Sequence, residues 1–104
     1  MPDNSVERRF RVFYQRRNGS YAFIKDVVYN NPVISPYTTE ELLEKVFHDM
    51  QGEIWSPNGE ARNFIISSGL SHTSMMVGDV VRDMDMELSW KVESMGWSVF
   101  TGCS

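Results

Sequence analysis

The sequence has very little cysteine and histidine. Cys103 is the one cysteine, and the two histidines lie far apart, at positions 48 and 72. One cysteine cannot form a disulfide within the chain, and the Cys/His spacing of a structural zinc site is missing. We therefore expect a domain that folds without cross-links or metal, in a reducing compartment, with the cytoplasm as the simplest assignment.

Long apolar runs and glycine-rich phosphate loops are also missing. No segment approaches the ~20 apolar residues of a membrane-spanning helix, and residues 1–11 are polar and charged, unlike a signal peptide. Neither G-x-G-x-x-G nor G-x4-G-K-S/T occurs. These absences predict no membrane association, no cofactor and no evident small-molecule substrate.

The composition fits one small globular domain. The chain has 104 residues and is 41% hydrophobic, 12% aromatic and 23% charged, which lies above the apolar level at which chains remain disordered. A chain of this length buries roughly 60–70% of its unfolded surface. We expect a single domain over residues 1–104 with a thin core.

The charge is unevenly distributed along the chain, although the formal net charge is only -4. Residues 1–25 carry six Lys and Arg against two Asp and Glu, whereas the remainder carries four against twelve. Five arginines lie within ten positions, at 8, 9, 11, 16 and 17. A partner would therefore meet two different surfaces.

An N-terminal β-hairpin is the first predicted element. Side chains alternate with the period of two that is typical of a strand. One face would carry Phe10, Val12 and Tyr14, and the other Arg9, Arg11, Phe13 and Gln15. Asn18-Gly19 favours a two-residue type I′ turn, so a second strand is expected from Ser20 to about Tyr29.

This turn also predicts a register. Arg17 would pair with Ser20, because the loop contains only two residues. The resulting pairs are Tyr14 with Phe23, Phe13 with Ile24, Phe10 with Val27 and Arg11 with Asp26. The last of these pairs joins opposite charges and supports the hairpin.

Two helices are predicted after the hairpin. Thr38 can cap the first, Glu41 completes a capping box, and Gly52 is the expected stop. Its apolar stripe is Leu43, Val46, Phe47 and Met50.

The second helix is expected from about Pro57 or Gly59 to Ser68. Its inner side would contain Ala61, Phe64, Ile65 and Ser68. A left-handed Gly69 would bring Leu70 onto Ile65 in a Schellman motif.

Strand patterns return after Val77. Val80-Val81 suggests a short strand, residues 88–92 alternate, and a last strand follows Gly96. The predicted order is β-β-α-α-β-β-β. Because this order lacks regular βαβ alternation, it predicts an α+β domain with a largely antiparallel sheet.

The C-terminal half carries a distinctive pattern. It consists of W-S-P-N-G-E-A-R at residues 55–62, Gly69-Leu70, H-T-S-M-M-V-G-D-V-V at residues 72–81 and Gly96-Trp97. Over roughly residues 50–100 it resembles a group of small uncharacterised proteins encoded by bacteriophages and mobile elements, in which Ser usually stands at the position of Met76. The resemblance implies a phage or prophage origin, an accessory role and the host cytoplasm as location, but it brings no established activity.

The residue types of a hydrolytic triad occur in His72, Ser74 and Asp79. No G-x-S-x-G elbow surrounds Ser74, however, and Ser and Thr hydroxyls ordinarily bond to nearby backbone. Gly78-Asp79 before a strand is a common turn device. We therefore expect a protein that is not an enzyme.

An acidic alternation follows at Asp79, Asp83, Asp85 and Glu87. It lacks the ligand and glycine spacing of an EF-hand. We expect a solvated acidic strand edge, which would discourage pairing with other sheets.

Two groups of residues are candidates for binding. The first is basic and aromatic, and could track a phosphate backbone and stack on a base: Arg9, Arg11, Phe13, Arg16 and Arg17. The second is rich in methionine and tryptophan, and could form an adaptable contact surface or fill the core: Met75, Met76, Trp90 and Trp97.

From the sequence we favour a non-enzymatic, phage-type accessory protein that binds a host or viral protein, or a second copy of itself, and that acts on host machinery. The alternative is a protein that binds single-stranded nucleic acid or RNA through the arginine-rich hairpin. The overall pI of about 5.0 weighs against that alternative.

Overall fold

The computed structural model describes residues 5–34 and 36–101. The elements in these ranges are β1 (Ser5–Gln15), β2 (Tyr21–Pro32), α1 (Thr39–Asp49), α2 (Gly52–Trp55), α3 (Arg62–Ser67), β3 (Val80–Asp83), β4 (Leu88–Glu93) and β5 (Gly96–Val99). Cys103 lies outside the described residues. No helix in these ranges has the length and apolar character needed to cross a bilayer.

The strands form one antiparallel sheet in the order β2-β1-β3-β4-β5. The predicted α+β class and the order of strands and helices are confirmed. The one addition is α2, a single turn between the two predicted helices. Because β3 pairs with β1, the C-terminal strands continue the sheet that the hairpin begins.

The hairpin turn differs from the predicted one. The N–H of Gly19 donates to the carbonyl of Arg16 at 3.0 Å, and the N–H of Arg16 donates to the carbonyl of Ser20 at 2.8 Å, which closes a three-residue loop. Gly19 has a φ of +89°, whereas Asn18 is not among the residues with positive φ. A type I′ turn needs positive φ at both positions, so the prediction of a two-residue loop was wrong.

A β-bulge between Val12 and Phe13 restores the predicted register further along the hairpin. Phe10 pairs with Val27 and Arg11 with Asp26, as predicted. Nearer the turn the prediction was wrong, since Phe13 pairs with Phe23, and Tyr14 with Ala22. The longer loop shifts the register by one residue, and the extra residue of the bulge on β2 shifts it back.

Helix α1 begins as predicted and ends earlier than predicted. The Thr38 hydroxyl accepts from the N–H of Glu41 at 3.1 Å, and the N–H of Thr38 donates to the Glu41 carboxylate at 2.9 Å. This capping box satisfies two donors that the first turn leaves free. Gly52 does not stop α1: the helix ends at Asp49 with Met50 as its C-cap, and Gly52 is the first residue of α2.

Helix α3 is shorter than predicted but ends in the predicted motif. Gly69 has a φ of +77°. The N–H of Leu70 donates to the carbonyl of Ile65, and the N–H of Gly69 to that of Ile66, both at 3.0 Å. These two bonds define a Schellman motif. Phe64 was predicted to be inside but is 42% exposed.

All three helices lie on the same face of the sheet. One hydrophobic cluster joins the sheet residues Phe10, Val12 and Tyr14 to apolar residues of the helical layer. The members from that layer are Leu42, Leu43, Val46, Met50, Ala61, Ile65, Leu70 and Met75. The Tyr14 hydroxyl donates to the carbonyl of Thr73 at 2.7 Å and lies 3.2 Å from the carbonyl oxygen of Met50. The domain therefore has two layers, and no helix packs on the second face of the sheet within the described ranges.

Candidate functional site

The second face of the sheet, called the outer face below, carries the alternate residues of each strand. Residues that pair directly across an antiparallel sheet share a face. Starting from Arg11 and Phe13, the register assigns to this face Glu7, Arg9 and Gln15 of β1, Tyr21, Phe23, Asp26 and Val28 of β2, Val80 and Arg82 of β3, and Ser89, Lys91 and Glu93 of β4.

Aromatic and cationic side chains are interleaved on the outer face. The rings of Phe13 and Phe23 meet edge to face, with centroids 6.0 Å apart. The Arg11 guanidinium lies over the Phe23 ring at 5.2 Å and also forms an ion pair with Asp26 at 2.9 Å. Phe23 is 48% exposed, so one aromatic surface beside a cation remains open to a partner.

A second aromatic pair lies on the outer face and connects its two edge strands. The ring of Phe100, which follows β5, lies 5.4 Å from the ring of Tyr21 on β2, although β2 and β5 are the two ends of the strand order. The Lys91 ammonium lies 6.0 Å from the Phe100 ring. Val80, which is on the same face, is fully buried. The outer face is therefore partly covered at this end and open around Phe23.

Charge differs between the two layers. The outer face carries four cations, Arg9, Arg11, Arg82 and Lys91, and three acids, Glu7, Asp26 and Glu93. Asp26 is paired with Arg11, and the Glu93 carboxylate accepts from the Ser98 hydroxyl at 2.6 Å. Residues 39–67, which form the helical layer, contain six Asp and Glu against two Lys and Arg. Residues 39–67 therefore have a net charge of -4, whereas the outer face has one more cation than acid.

The arginines proposed from the sequence do not act together. Arg9 and Arg11 lie on the outer face, where the Arg9 side chain is exposed. Arg16 instead connects the hairpin to α3, since its guanidinium donates to the carbonyl of Ser68 at 2.6 Å and to the carbonyl of Tyr21 at 3.1 Å. Arg17 is exposed in the hairpin loop and contributes to a neighbouring pocket. Of the five basic and aromatic candidates, three therefore lie on the outer face, one connects the hairpin to α3, and one lines the pocket.

The methionine and tryptophan candidates do not form one surface. Met75 is 2% exposed and belongs to the core, whereas Met76 is 50% exposed. Trp90 and Trp97 line a small cavity of about 130 Å³ beside the start of α1. The Trp97 indole N–H donates to Glu44 at 3.2 Å, and the Trp90 indole N–H is buried without a hydrogen-bond partner in the described residues. For Met75, core filling is the role that the packing shows.

The triad residues are only partly brought together. His72 Nε2 lies 3.0 Å from an Asp79 carboxylate oxygen, and the His72 ring stacks on Tyr14 with centroids 4.7 Å apart. The Ser74 hydroxyl instead accepts from the N–H of Gly52 at 2.7 Å, at the start of α2. Ser74 therefore holds two loops together, as expected of a Ser in a turn.

Asp79 is the centre of a buried hydrogen-bond network. Its carboxylate is 1% exposed and accepts from the N–H of Gln15 at 2.8 Å, the N–H of Met76 at 2.9 Å and from His72. Burial raises the pKa of the Asp79 carboxyl, although the Gln15 and Met76 amides and His72 act in the opposite direction. Burial, followed by the charge of Asp79, raises the pKa of the Tyr14 hydroxyl.

The expected solvated acidic edge was wrong for two of its four residues. β3 is an interior strand between β1 and β4. Asp83 is fully buried and pairs with Arg8, and it also accepts from the N–H groups of Asp85 and Met86 at 3.0 and 3.1 Å. Asp79 is buried as described above, so only Asp85 and Glu87 are exposed. No group of three or more potential metal ligands is found among the described residues.

A pocket of about 630 Å³ adjoins the outer face. Its lining comes from the hairpin loop, from the segment after α3 and from the turn before β3; its polar members are Gln15, Arg16, Arg17, Asn18, Ser71, His72 and Asp79. Gln15 belongs to both the pocket and the outer face. The two surfaces are therefore continuous.

Comparison of the chain with protein-family models, with curated proteins and with solved structures finds no match. Sequence reasoning identified Arg9, Arg11 and Phe13 on the outer face but missed the other rings and cations there, which are contributed by Tyr21, Phe23, Arg82, Lys91 and Phe100. Their common signal is the register between strands, which the sequence pattern alone leaves open.

Proposed function

We propose that this protein binds single-stranded nucleic acid on the outer face of its sheet, as a phage-type accessory protein without catalytic activity. The observation that carries the proposal is the row of aromatic rings with cations beside them: Phe13 and Phe23 with Arg11, and Phe100 with Lys91. An open sheet face with exposed rings is a known way of binding unpaired bases.

The chemistry of the face suits a flexible polyanion. A base can stack on an exposed ring such as Phe23, which contributes about 1–3 kcal/mol per base without regard to sequence. The side chains of Arg9, Arg82 and Lys91 lie on the same face and can neutralise phosphates. Duplex DNA has no exposed base faces, so single strands are the favoured class.

The acidic pI is a property of the whole chain, and it opposes this proposal less once the positions of the charges are known. Six acids lie in residues 39–67, on the opposite layer. A nucleic acid on the outer face would be separated from them by the sheet, and ions screen charges beyond about 8–10 Å at physiological salt. Local charge at the contact surface, more than the net charge, determines the attraction.

A second candidate is a protein partner, favoured by β2 itself. β2 is an edge strand of 12 residues, and its exposed side chains include Phe23 and Val28. A long strand at the edge of a sheet can accept a strand from another protein or from a second copy of this chain. This candidate predicts binding along the edge of β2, whereas the first predicts binding across the face.

The proposal predicts that charge reversal weakens binding on the outer face but not on the helical layer. The double variant Arg9→Glu/Lys91→Glu should weaken binding of a mixed-sequence single-stranded oligonucleotide at least about tenfold, since two phosphate contacts become repulsive. Phe23→Ala should weaken it by about tenfold through lost stacking. Fluorescence anisotropy at several salt concentrations measures both effects, and the charge variant should also flatten the salt dependence.

The matched control is Arg62→Glu, because Arg62 is an exposed cation at the start of α3 on the opposite layer. Its affinity should stay within about twofold of the original, as expected for a charge screened from the contact. Equal losses for both charge variants, or no binding at low salt, would contradict the proposal. Self-association that depends on β2 would instead favour the second candidate.

A further inference from the structure

We infer that the pocket beside the hairpin loop is a binding site for a phosphate monoester. The pocket has a volume of about 630 Å³, which is within the range of sites that hold small organic ligands. It is lined by residues of the hairpin loop, of segment 69–72 and of the turn before β3. The pocket residues take no part in the stacking and cation contacts of the outer face. Gln15 is the residue that belongs to both surfaces.

The cations of the pocket are available to a ligand to different degrees. Arg16 is fixed at the wall by its bonds to the carbonyls of Ser68 and Tyr21. The Arg17 side chain is exposed and makes no ion pair or hydrogen bond with the described residues. Because the Nε and Nη1 donors of Arg16 are already used, its guanidinium contributes positive charge at the wall. The exposed Arg17 guanidinium keeps the planar pair of donors that phosphate groups prefer.

The one acid of the pocket is already occupied. Asp79 accepts from the Gln15 and Met76 amides and from His72, so both of its oxygens already have hydrogen-bond donors. Because Asp79 faces His72 Nε2, the Nε2–H is the donor, and the second ring nitrogen, Nδ1, remains for a ligand or solvent. His72 lines the pocket with 18% of its side chain exposed.

The combination favours a dianion. The pocket offers two guanidinium groups, Arg16 and Arg17, against a single carboxylate, and the His72 ring adds a polar nitrogen. Asp79 is the charged group that contacts His72, the ring of Tyr14 stacks against it, and Arg16 and Arg17 line the same pocket. A phosphate monoester is the biological dianion that matches this charge and leaves most of the pocket for an attached organic group.

The position of the pocket suggests where the phosphate comes from, and this suggestion rests on the proposed function. Gln15 pairs with Tyr21 on the outer face and also lines the pocket. A single strand on the outer face could therefore end with its terminal phosphate in the pocket. A free mononucleotide is the other source of the same chemistry.

The test uses adenosine monophosphate as a probe, with adenosine as the control, and follows the His72 ring proton by NMR. We expect a saturable shift of this signal with the monophosphate and none with adenosine. Arg17→Ala should weaken the response at least about fivefold through loss of a charge-assisted contact, and Arg62→Ala should leave it unchanged. No shift up to about 10 mM of the monophosphate, which corresponds to binding weaker than a useful site, would overturn the inference.

Oligonucleotides with and without a terminal phosphate distinguish the two sources. Tighter binding of the phosphorylated strand, lost in Arg17→Ala, supports the strand end as ligand. Equal binding of both strands, combined with a positive monophosphate result, supports a free nucleotide. Because hydroxyl-ended strands test only the outer face, their failure to bind would overturn the proposed function and leave the monophosphate result to decide the pocket.

Discussion

Asp79→Ala is expected to lower the free energy of unfolding by about 3 kcal/mol. The carboxylate is 1% exposed and accepts from two main-chain N–H groups, of Gln15 and Met76, which would lose their acceptors. Each buried donor left unsatisfied costs about 1–3 kcal/mol. Since these donors belong to β1 and to the turn before β3, the substitution weakens the connection between the hairpin and the C-terminal strands.

Chemical denaturation of the original and variant proteins measures this effect directly. The thermal midpoint should fall by roughly 12–24 °C if each kcal/mol shifts it by about 4–8 °C in a domain of this size. Asp26→Ala is the matched control: it removes an exposed aspartate in an ion pair with Arg11, and such pairs contribute about 0–1 kcal/mol. Losses of similar size for the two variants would show that Asp79 does not organise the network described here.

Asp83→Ala is expected to cost about 2–3 kcal/mol. Asp83 is fully buried, pairs with Arg8 and accepts from the N–H groups of Asp85 and Met86. Removing one partner of a buried ion pair costs about 3–5 kcal/mol because the other charge remains unpaired. We expect a cost at or below the lower end of that range, because the Arg8 side chain is 14% exposed and its Nε lies 3.5 Å from the carboxylate of Asp85.

A double-mutant cycle separates the ion pair from the turn that Asp83 caps. Arg8→Met should be less harmful in the Asp83→Ala background than in the original protein, because it then removes an unpaired charge. Urea denaturation of the four proteins gives the coupling energy. Strict additivity would mean that Arg8 and Asp83 are not energetically linked and would contradict this account of the pair.

Local signals in the sequence predicted the elements well. The alternation of β1, the capping box of α1 and the Gly69 motif of α3 each depend on residues that are near one another in sequence. Such interactions are encoded within a few residues, so their residue types are enough to predict them. The α+β class followed from the order of these elements.

The register between β1 and β2 was less predictable because hairpin loops of different length compete for the same turn sequence. Asn18-Gly19 is compatible with either a two-residue or a three-residue loop, and the choice shifts each pair by one residue. The bulge between Val12 and Phe13 compensates for that shift. The predicted Arg11–Asp26 pair was therefore correct although the predicted loop was not.

The candidate site depends most on contacts that are distant in sequence. Tyr21 meets Phe100, and Asp79 meets Gln15, only after β3 has been placed beside β1. The burial of Asp79 and Asp83 has the same origin, since β3 is flanked on both sides. A pattern of alternating acids is typical of an exposed edge, and nothing local in it indicates an interior strand.

The proposed function places nucleic acid on the outer face of the sheet and not on the helical layer. NMR titration of isotope-labelled protein with a mixed-sequence single-stranded oligonucleotide tests it most directly. We expect the largest shifts at Phe13, Phe23, Arg82 and Lys91, with α1 and α3 nearly unchanged. Shifts concentrated in the helices would contradict this proposal. Shifts along β2 that appear when the protein concentration is raised without oligonucleotide, and no others on adding it, would also contradict it.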